Sequence, residues 1–233
     1  MEVGERYRDG AYLAANPGWH EEDAPFKAAW IHALLERNRL RPKRVGEVGC
    51  GAGGVLAGLR ERMPGATFMG YEVSPQAHEL CLRRGAPGLD FRLADLRAEG
   101  PSASFDLLLC IDVVEHVEDC FGFLRDLRGR ADYTVFHIPL ELFALSMVYR
   151  GFLLSQWRKS GHIHSFTKDL ALALLTDCGY EVVDTCYTPG YTLPHAYGWK
   201  DSVANVARRL VYPVSPDLAV RLFGGYSLLV LAR

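Results

Sequence analysis

Arg44-Val45-Gly46-Glu47-Val48-Gly49-Cys50-Gly51-Ala52-Gly53-Gly54 runs from a short apolar stretch into a glycine cluster, and a helix-period series through Val55, Leu56, Leu59 and Met63 follows at once. The reading is strand, turn, helix. Glycine adopts positive φ without a Cβ clash and lets backbone approach a ligand closely. The helix start beyond the turn offers N–H groups that have no intrahelical partner. Two patterns fit these glycines. Gly49, Gly51 and Gly54 satisfy G-x-G-x-x-G, while Glu47, Gly49, Gly51 and Gly53 satisfy acidic-x-G-x-G-x-G. So dense a cluster points to a bound ligand and leaves its identity open.

Outward from that turn the alternation continues. Thr67 to Glu72 reads as a second strand, and Ser74-Pro75 opens a helix with serine as N-cap and proline at the first helical position. Leu89 to Leu93 is a third strand. Phe105 to Ile111 is a fourth, apolar almost throughout, as a strand covered on both faces must be. A helix from about Asp119 to Leu127 leads to a fifth strand, Tyr133 to Ile138, ended by Pro139. Thr167 opens a helix closed by Gly179, and Tyr180 to Thr185 and Tyr226 to Ala232 supply two last strands. This alternation predicts an α/β fold, a doubly wound sheet with ligands beyond the carboxyl ends of its strands. Glu72 stands there, 19 residues after Gly53, where an acidic side chain accepts both hydrogen bonds of a ribose diol. Nicotinamide dinucleotides and S-adenosylmethionine both carry that ribose.

Composition sets outer limits. The 233 residues carry 26 Lys+Arg against 28 Asp+Glu, a net charge of −2, with no basic cluster, so nucleic acid and anionic membrane are not expected partners. Apolar residues make up 49%, enough for a sizeable core. Met1 to Arg6 is charged and lacks the apolar stretch of a secretory signal, and no run reaches the roughly 20 apolar residues of a membrane span. A cytoplasmic protein with reduced thiols is expected. No two of the six cysteines stand at structural zinc spacing.

The third and fourth strands narrow the cofactor. Ala94-Asp95-Leu96 follows one, and the other runs into Cys110-Ile111-Asp112-Val113-Val114-Glu115-His116-Val117. With E-V-G-C-G-A-G and the acidic end of strand two, the series resembles the class I S-adenosylmethionine-dependent methyltransferases of the small-molecule type. Gly161-His162-Ile163-His164-Ser165-Phe166-Thr167 and Cys178-Gly179-Tyr180-Glu181-Val182-Val183 look like the same members' later segments. The resemblance implies a Rossmann-like, seven-stranded, mostly parallel sheet of order 3-2-1-4-5-7-6, its last strand antiparallel. It implies S-adenosyl-L-methionine as cofactor, S-adenosyl-L-homocysteine as product and no firm metal. Gly49, Cys50, Gly51 and Gly53 would pass under the methionine and ribose portions. Glu47 would orient the amino-acid end, Glu72 would take the ribose hydroxyls and Val73 would line the adenine. Asp95, with Leu96 beside it, would accept from the adenine amino group, and Cys110 or Ile111 would offer a carbonyl to the methionine ammonium.

The expected organisation is one domain over 1–233. It comprises an N-terminal helical lid at 1–40, a cofactor-binding core at 41–138, and substrate-side lid insertions at 139–166 and 187–225. Tyr7, Tyr12, Trp19, His20 and Phe26 in the first lid, and Phe143, Met147, Tyr149, Phe152 and Trp157 in the second, suit an apolar or aromatic metabolite or natural product methylated at oxygen or nitrogen. For the general base, His116 after strand four comes first and His137 at the end of strand five second, since histidine titrates in a suitable range. His162 and His164 are read as lid or supporting groups. Asp112, Glu115 and His116 give D-x-x-E-H, similar to the E-x-x-E-H of ubiquinone-pathway O-methyltransferases, where the trio resembles a divalent-metal site; a helix here would set all three on one face. The alternatives are a protein of this fold that binds the cofactor without methyl transfer, cyclase-type or non-enzymatic, and an NAD-dependent dehydrogenase.

Overall fold

Seven strands, β1 (Arg44–Val48), β2 (Thr67–Glu72), β3 (Leu89–Leu93), β4 (Phe105–Ile111), β5 (Ala131–Pro139), β6 (Val182–Thr188) and β7 (Ser227–Ala232), form one sheet of order β3-β2-β1-β4-β5-β7-β6. The computed structural model describes residues 7, 19, 21–100, 104–193 and 199–233, with side chains in the last span from residue 204. β1 pairs in parallel with β2 and β4, and β7 runs antiparallel to β5 and β6.

Period-two alternation divides the core between the two faces of the sheet. Leu108 and Cys110 of β4 point to one face, Leu107 and Leu109 to the other, and all four are buried. Helices α1 (Ala24–Arg37) and α2 (Gly54–Arg62) cover the Leu107 side through Ile31, Leu34, Leu35, Leu56 and Leu59. α3 (Pro75–Leu82) follows β2, its first turn capped by the Ser74 side chain on the Ala77 N–H. α4 (Cys120–Leu127) and, later in the chain, α7 (Lys168–Asp177) cover the Leu108 side, the latter capped by Thr167 on the Leu170 N–H. Two short helices, α5 (Ala144–Val148) and α6 (Phe152–Ser155), follow β5; α8 (Trp199–Val211) and α9 (Pro216–Phe223) precede β7.

Local structure departs from the sequence reading in three places. β5 starts at Ala131, because Ala131 pairs with Phe105 although it carries no strand signal of its own. β6 runs from Val182 to Thr188 instead of from Tyr180, whose ring packs edge-on against Phe136 at 5.0 Å and whose hydroxyl donates to the Leu124 carbonyl. The stretch after β4 is not one helical face: Asp112 has φ +53° and only Val114–His116 makes a short 3-10 turn. Asp112 therefore does not share a helical face with Glu115 and His116.

Within 1–40, the body of α1 is a layer of the fold, while Lys27 and Phe26 in its first turns, with Tyr7 and Trp19, face a cavity at the carboxyl ends of the strands. Tyr12 and His20 lie outside the described residues. In the second expected lid, Met147, Tyr149 and Trp157 are solvent-exposed, and none of its five aromatic or methionine candidates lines that cavity; Gln156, Ser160 and His162 do. Among the described residues no helix is long and apolar enough to cross a membrane.

Candidate functional site

The strands end together because parallel pairing puts Val48 beside Tyr71 and Cys110, and Ile111 beside His137. Beyond them lies a cavity of about 670 Å³. Its floor is the glycine turn. A Cβ on Gly49 (φ +66°) would stand 2.7 Å from Val113, and one on Gly53 (φ +76°) 2.6 Å from the Phe91 ring, so both positions admit only glycine. Gly51 (φ +56°) differs: the nearest atom to its added Cβ is a Trp19 ring carbon at 3.9 Å, and the space in front is open.

Glu72 holds this turn in place. One carboxylate oxygen accepts the Gly51 N–H at 2.8 Å, and the other accepts those of Val73 and Ser74, each at 2.8 Å. The Gly49 and Cys50 N–H groups donate to the Tyr71 carbonyl, and the Cys81 thiol donates to the Gly51 carbonyl at 2.9 Å. Burial raises the Glu72 carboxyl above its ordinary value against the pull of the three N–H donors. Glu47 is 2% exposed with one oxygen lacking any hydrogen-bond partner, and burial pushes its carboxyl well up.

The opposite wall is a relay of paired groups. Lys27 Nζ lies 2.7 Å from Asp112 Oδ2, His137 Nδ1 lies 2.6 Å from Asp112 Oδ1, and His137 Nε2 meets Thr188 Oγ1 at 2.8 Å. Burial works against the Asp112 charge, but His137 and Lys27 outweigh it and hold the carboxyl far below the usual range. Both ring nitrogens of His137, the second candidate base, are engaged, Nδ1 by Asp112 and Nε2 by the Thr188 hydroxyl, a pairing that ties Asp112 to β6. His137→Ala is expected to lower stability by about 2–3 kcal/mol in denaturant melts, leaving the shape of the kcat–pH profile unchanged. Loss of a limb of that profile would return His137 to the chemistry.

Next to this relay, Glu115 is 1% exposed, and neither of its oxygens has a hydrogen-bond partner. Burial, then the Asp112 charge, push its carboxyl up to about 8. His116 and His162 stack edge to face with centroids 4.8 Å apart. His116 Nδ1 lies 2.8 Å from the Tyr7 hydroxyl and 3.1 Å from the Gly161 carbonyl. His162 Nδ1 lies 2.7 Å from Glu141 Oε1, which also accepts from Gln156, and although burial opposes it, Glu141 and Glu115 raise the basicity of the ring. Ile163 and His164 N–H groups donate to the Glu115 carbonyl, stitching this strap to the end of β4. Among the described residues, Glu115, His116 and His162 are the group whose ligand atoms, within 4.8 Å of one another, could hold a metal ion. Asp112 of the D-x-x-E-H series is not in it.

Of the residues assigned to the cofactor from the sequence, Glu47, Gly49, Cys50, Gly51, Glu72, Val73, Asp95 and Ile111 line the cavity. Gly53, Leu96 and Cys110 stand behind its lining: Gly53 faces Phe91, and Leu96 and Cys110 are fully buried in the core. The Asp95 carboxylate is occupied by the Arg97 guanidinium at 2.7 Å, and Arg97 itself lies over the Phe123 ring. His164 Nε2 donates to the Val117 carbonyl at 2.9 Å and does not line the cavity. Sequence reasoning missed Lys27, Arg97, Glu141 and Thr188. Lys27 left a faint signal, a lone cation among the apolar residues opening α1.

A sequence profile described as "Methyltransferase domain" matches residues 47–131. The ubiquinone biosynthesis O-methyltransferase of Xanthomonas euvesicatoria is 30% identical over 189 residues, covering 71% of this chain and 77% of that one. Its counterpart in Paracidovorax citrulli is 35% identical over 101 residues, 41% of this chain and 40% of that one, so this chain spans about two fifths of that relative. Among solved structures, magnesium protoporphyrin IX methyltransferase from Synechocystis PCC 6803, with bound S-adenosylhomocysteine, superposes with a TM-score of 0.59 at 17% identity, covering 89% of this chain and 82% of that one. At that identity the likeness is one of fold.

Proposed function

Because this chain belongs to the class I S-adenosylmethionine-dependent methyltransferases, we propose that it binds S-adenosylmethionine over the glycine turn and methylates oxygen or nitrogen of a small molecule. The observation that carries this is the cradle at Gly51. Space stands open where a Cβ would be, and a buried Glu47 oxygen without a partner lines the same cavity. An orphaned buried acceptor is costly unless a ligand donor meets it, and the ammonium end of the cofactor is such a donor. Glu72 is placed to accept from the ribose hydroxyls while its other bonds keep the turn in shape. Val73 lines the cavity where the adenine belongs, and Asp95 reaches the adenine only in partnership with Arg97. Ile111 offers the carbonyl assigned to the methionine ammonium.

When bound, the cofactor supplies a methyl group on a sulfonium, which an acceptor displaces in line while the sulfur leaves neutral. The protein must then hold the acceptor about 3–3.5 Å from the methyl carbon and exclude water. We assign proton removal from the acceptor to His116, a reading supported by its position in the cavity wall just past β4. Nucleic acid does not fit this reading, because among the described residues nine carboxylate residues line the cavity against Lys27 and Arg97. A cytoplasmic setting belongs to the same proposal and is supported by six free cysteines.

Calorimetry with S-adenosylhomocysteine and, separately, NADH tests the reading. Binding of the former and none of the latter is expected; tight NADH binding with no response to S-adenosylhomocysteine overturns it. Gly51→Ala is expected to weaken S-adenosylhomocysteine at least tenfold, at a stability cost of only about 1–2 kcal/mol for a side chain at positive φ. Methyl-labelled cofactor must leave its label in the product; an altered substrate without label would point to cofactor binding without transfer.

A further inference from the structure

Among the described residues, Glu115 is the one side chain at the cavity wall whose two carboxylate oxygens are both buried and unpartnered. Its backbone carbonyl takes two N–H groups from the 161–164 strap, so the residue is fixed while its functional end is left for something else. Behind it, Glu141 and Gln156 hold His162 in place, and one Glu141 oxygen is again without a partner. Among the described residues, nine carboxylate residues and two cations line the cavity, and the cations are paired, Lys27 with Asp112 and Arg97 with Asp95. A chain of net charge −2 thus gathers acidic groups at this one site, and burial holds Glu47 and Glu115 toward their neutral forms until a cation enters and draws them to the charged form. The sulfonium of the cofactor answers only part of this acidic set. A neutral aromatic acceptor would leave the buried Glu115 oxygens without a donor, at the cost of an unmet hydrogen bond.

We propose that the acceptor is a primary or secondary amine whose amino group is received by the Glu115 carboxylate. This rests on the methyl-transfer reading above and narrows its acceptor class. An ammonium offers two or three N–H donors, which matches two unpaired oxygens, and charge-assisted bonds of this kind are the strong ones. A metal ion held by Glu115, His116 and His162 is the competing occupant, since Glu141 at His162 Nδ1 leaves Nε2 to a ligand, and removal of the metal by EDTA separates the two. For transfer, the amine first gives up one proton, to His116. The freed nitrogen pair then forms the N–C bond, the pair of the broken C–S bond goes to sulfur, and the product nitrogen carries away the positive charge.

The test uses the full chain saturated with S-adenosylhomocysteine, titrated calorimetrically at neutral pH with 2-phenylethylamine and with its isosteric alcohol 2-phenylethanol, each with and without EDTA. The amine is expected to bind about tenfold tighter than the alcohol or better. Glu115→Gln is isosteric and should bring the two within about twofold while leaving S-adenosylhomocysteine affinity unchanged. Equal binding, preference for the alcohol, no binding of either, a preference that survives in Glu115→Gln, or amine binding abolished by EDTA each overturns the proposal. The wild-type comparison needs no variant, so a folding defect in Glu115→Gln does not shield it. Failure of S-adenosylhomocysteine itself to bind would strike the methyl-transfer reading and take the amine proposal with it.

Discussion

Glu72→Ala is expected to weaken S-adenosylhomocysteine binding about a hundredfold or more and to lower stability by about 2–4 kcal/mol. Both effects come from one carboxylate. It accepts three backbone N–H groups, from Gly51, Val73 and Ser74, and hydrogen bonds to a charged acceptor contribute roughly 1.5–3 kcal/mol each when their loss leaves a buried donor unpaired. Water reaching the truncated site recovers part of that, which sets the stability cost below the simple total. The cofactor then loses the ribose acceptor and also the turn it lies on, because Gly51 at φ +56° is no longer held. Calorimetry and urea melts on the same sample separate the two. An unchanged affinity in a folded Glu72→Ala variant would falsify the ribose role.

For His116→Ala the expected result is a kcat lower by about 10²–10⁴-fold, with S-adenosylhomocysteine affinity within about twofold of wild type. Nδ1 meets the Tyr7 hydroxyl at 2.8 Å, which can donate or accept, and the Gly161 carbonyl at 3.1 Å, which can only accept, and these contacts set the orientation of the ring at the cavity wall. The edge-on His162 ring and the Tyr7 hydroxyl hold that orientation. The defect should shrink as pH rises, because an amine already neutral in solution needs no base. Measured kcat across pH decides the matter: a normal rate in His116→Ala leaves the residue as part of the cavity wall.

The glycine turn and the strands on either side were readable because their signals are local. Gly49 and Gly53 need positive φ whatever surrounds them, and β1 and β2 came out over the residues that their apolar runs marked. Ser74-Pro75 and Thr167 announce helix starts for the same reason, a side-chain cap reaching three residues along the chain. The strand order followed from the family resemblance, and parallel pairing then brought the marked loops to one edge of the sheet.

What lay outside the sequence was who meets whom across that edge. Asp112, Glu115 and His116 sit within five consecutive positions, which suggested one shared face. The positive φ at Asp112 instead sends its carboxylate to Lys27 on α1 and His137 on β5, while Glu115 and His116 turn toward His162. His137 meets Thr188, 51 residues on, through its second nitrogen, a contact that no local signal marks. From the sequence alone came the α/β alternation, the cofactor turn and the acidic end of β2, all set by steric preference and hydrogen bonding within a few residues. Tertiary structure alone decided which buried acids and histidines are paired and which, like Glu115, are left open, because partner choice for a buried charge depends on which groups packing brings within about 3 Å.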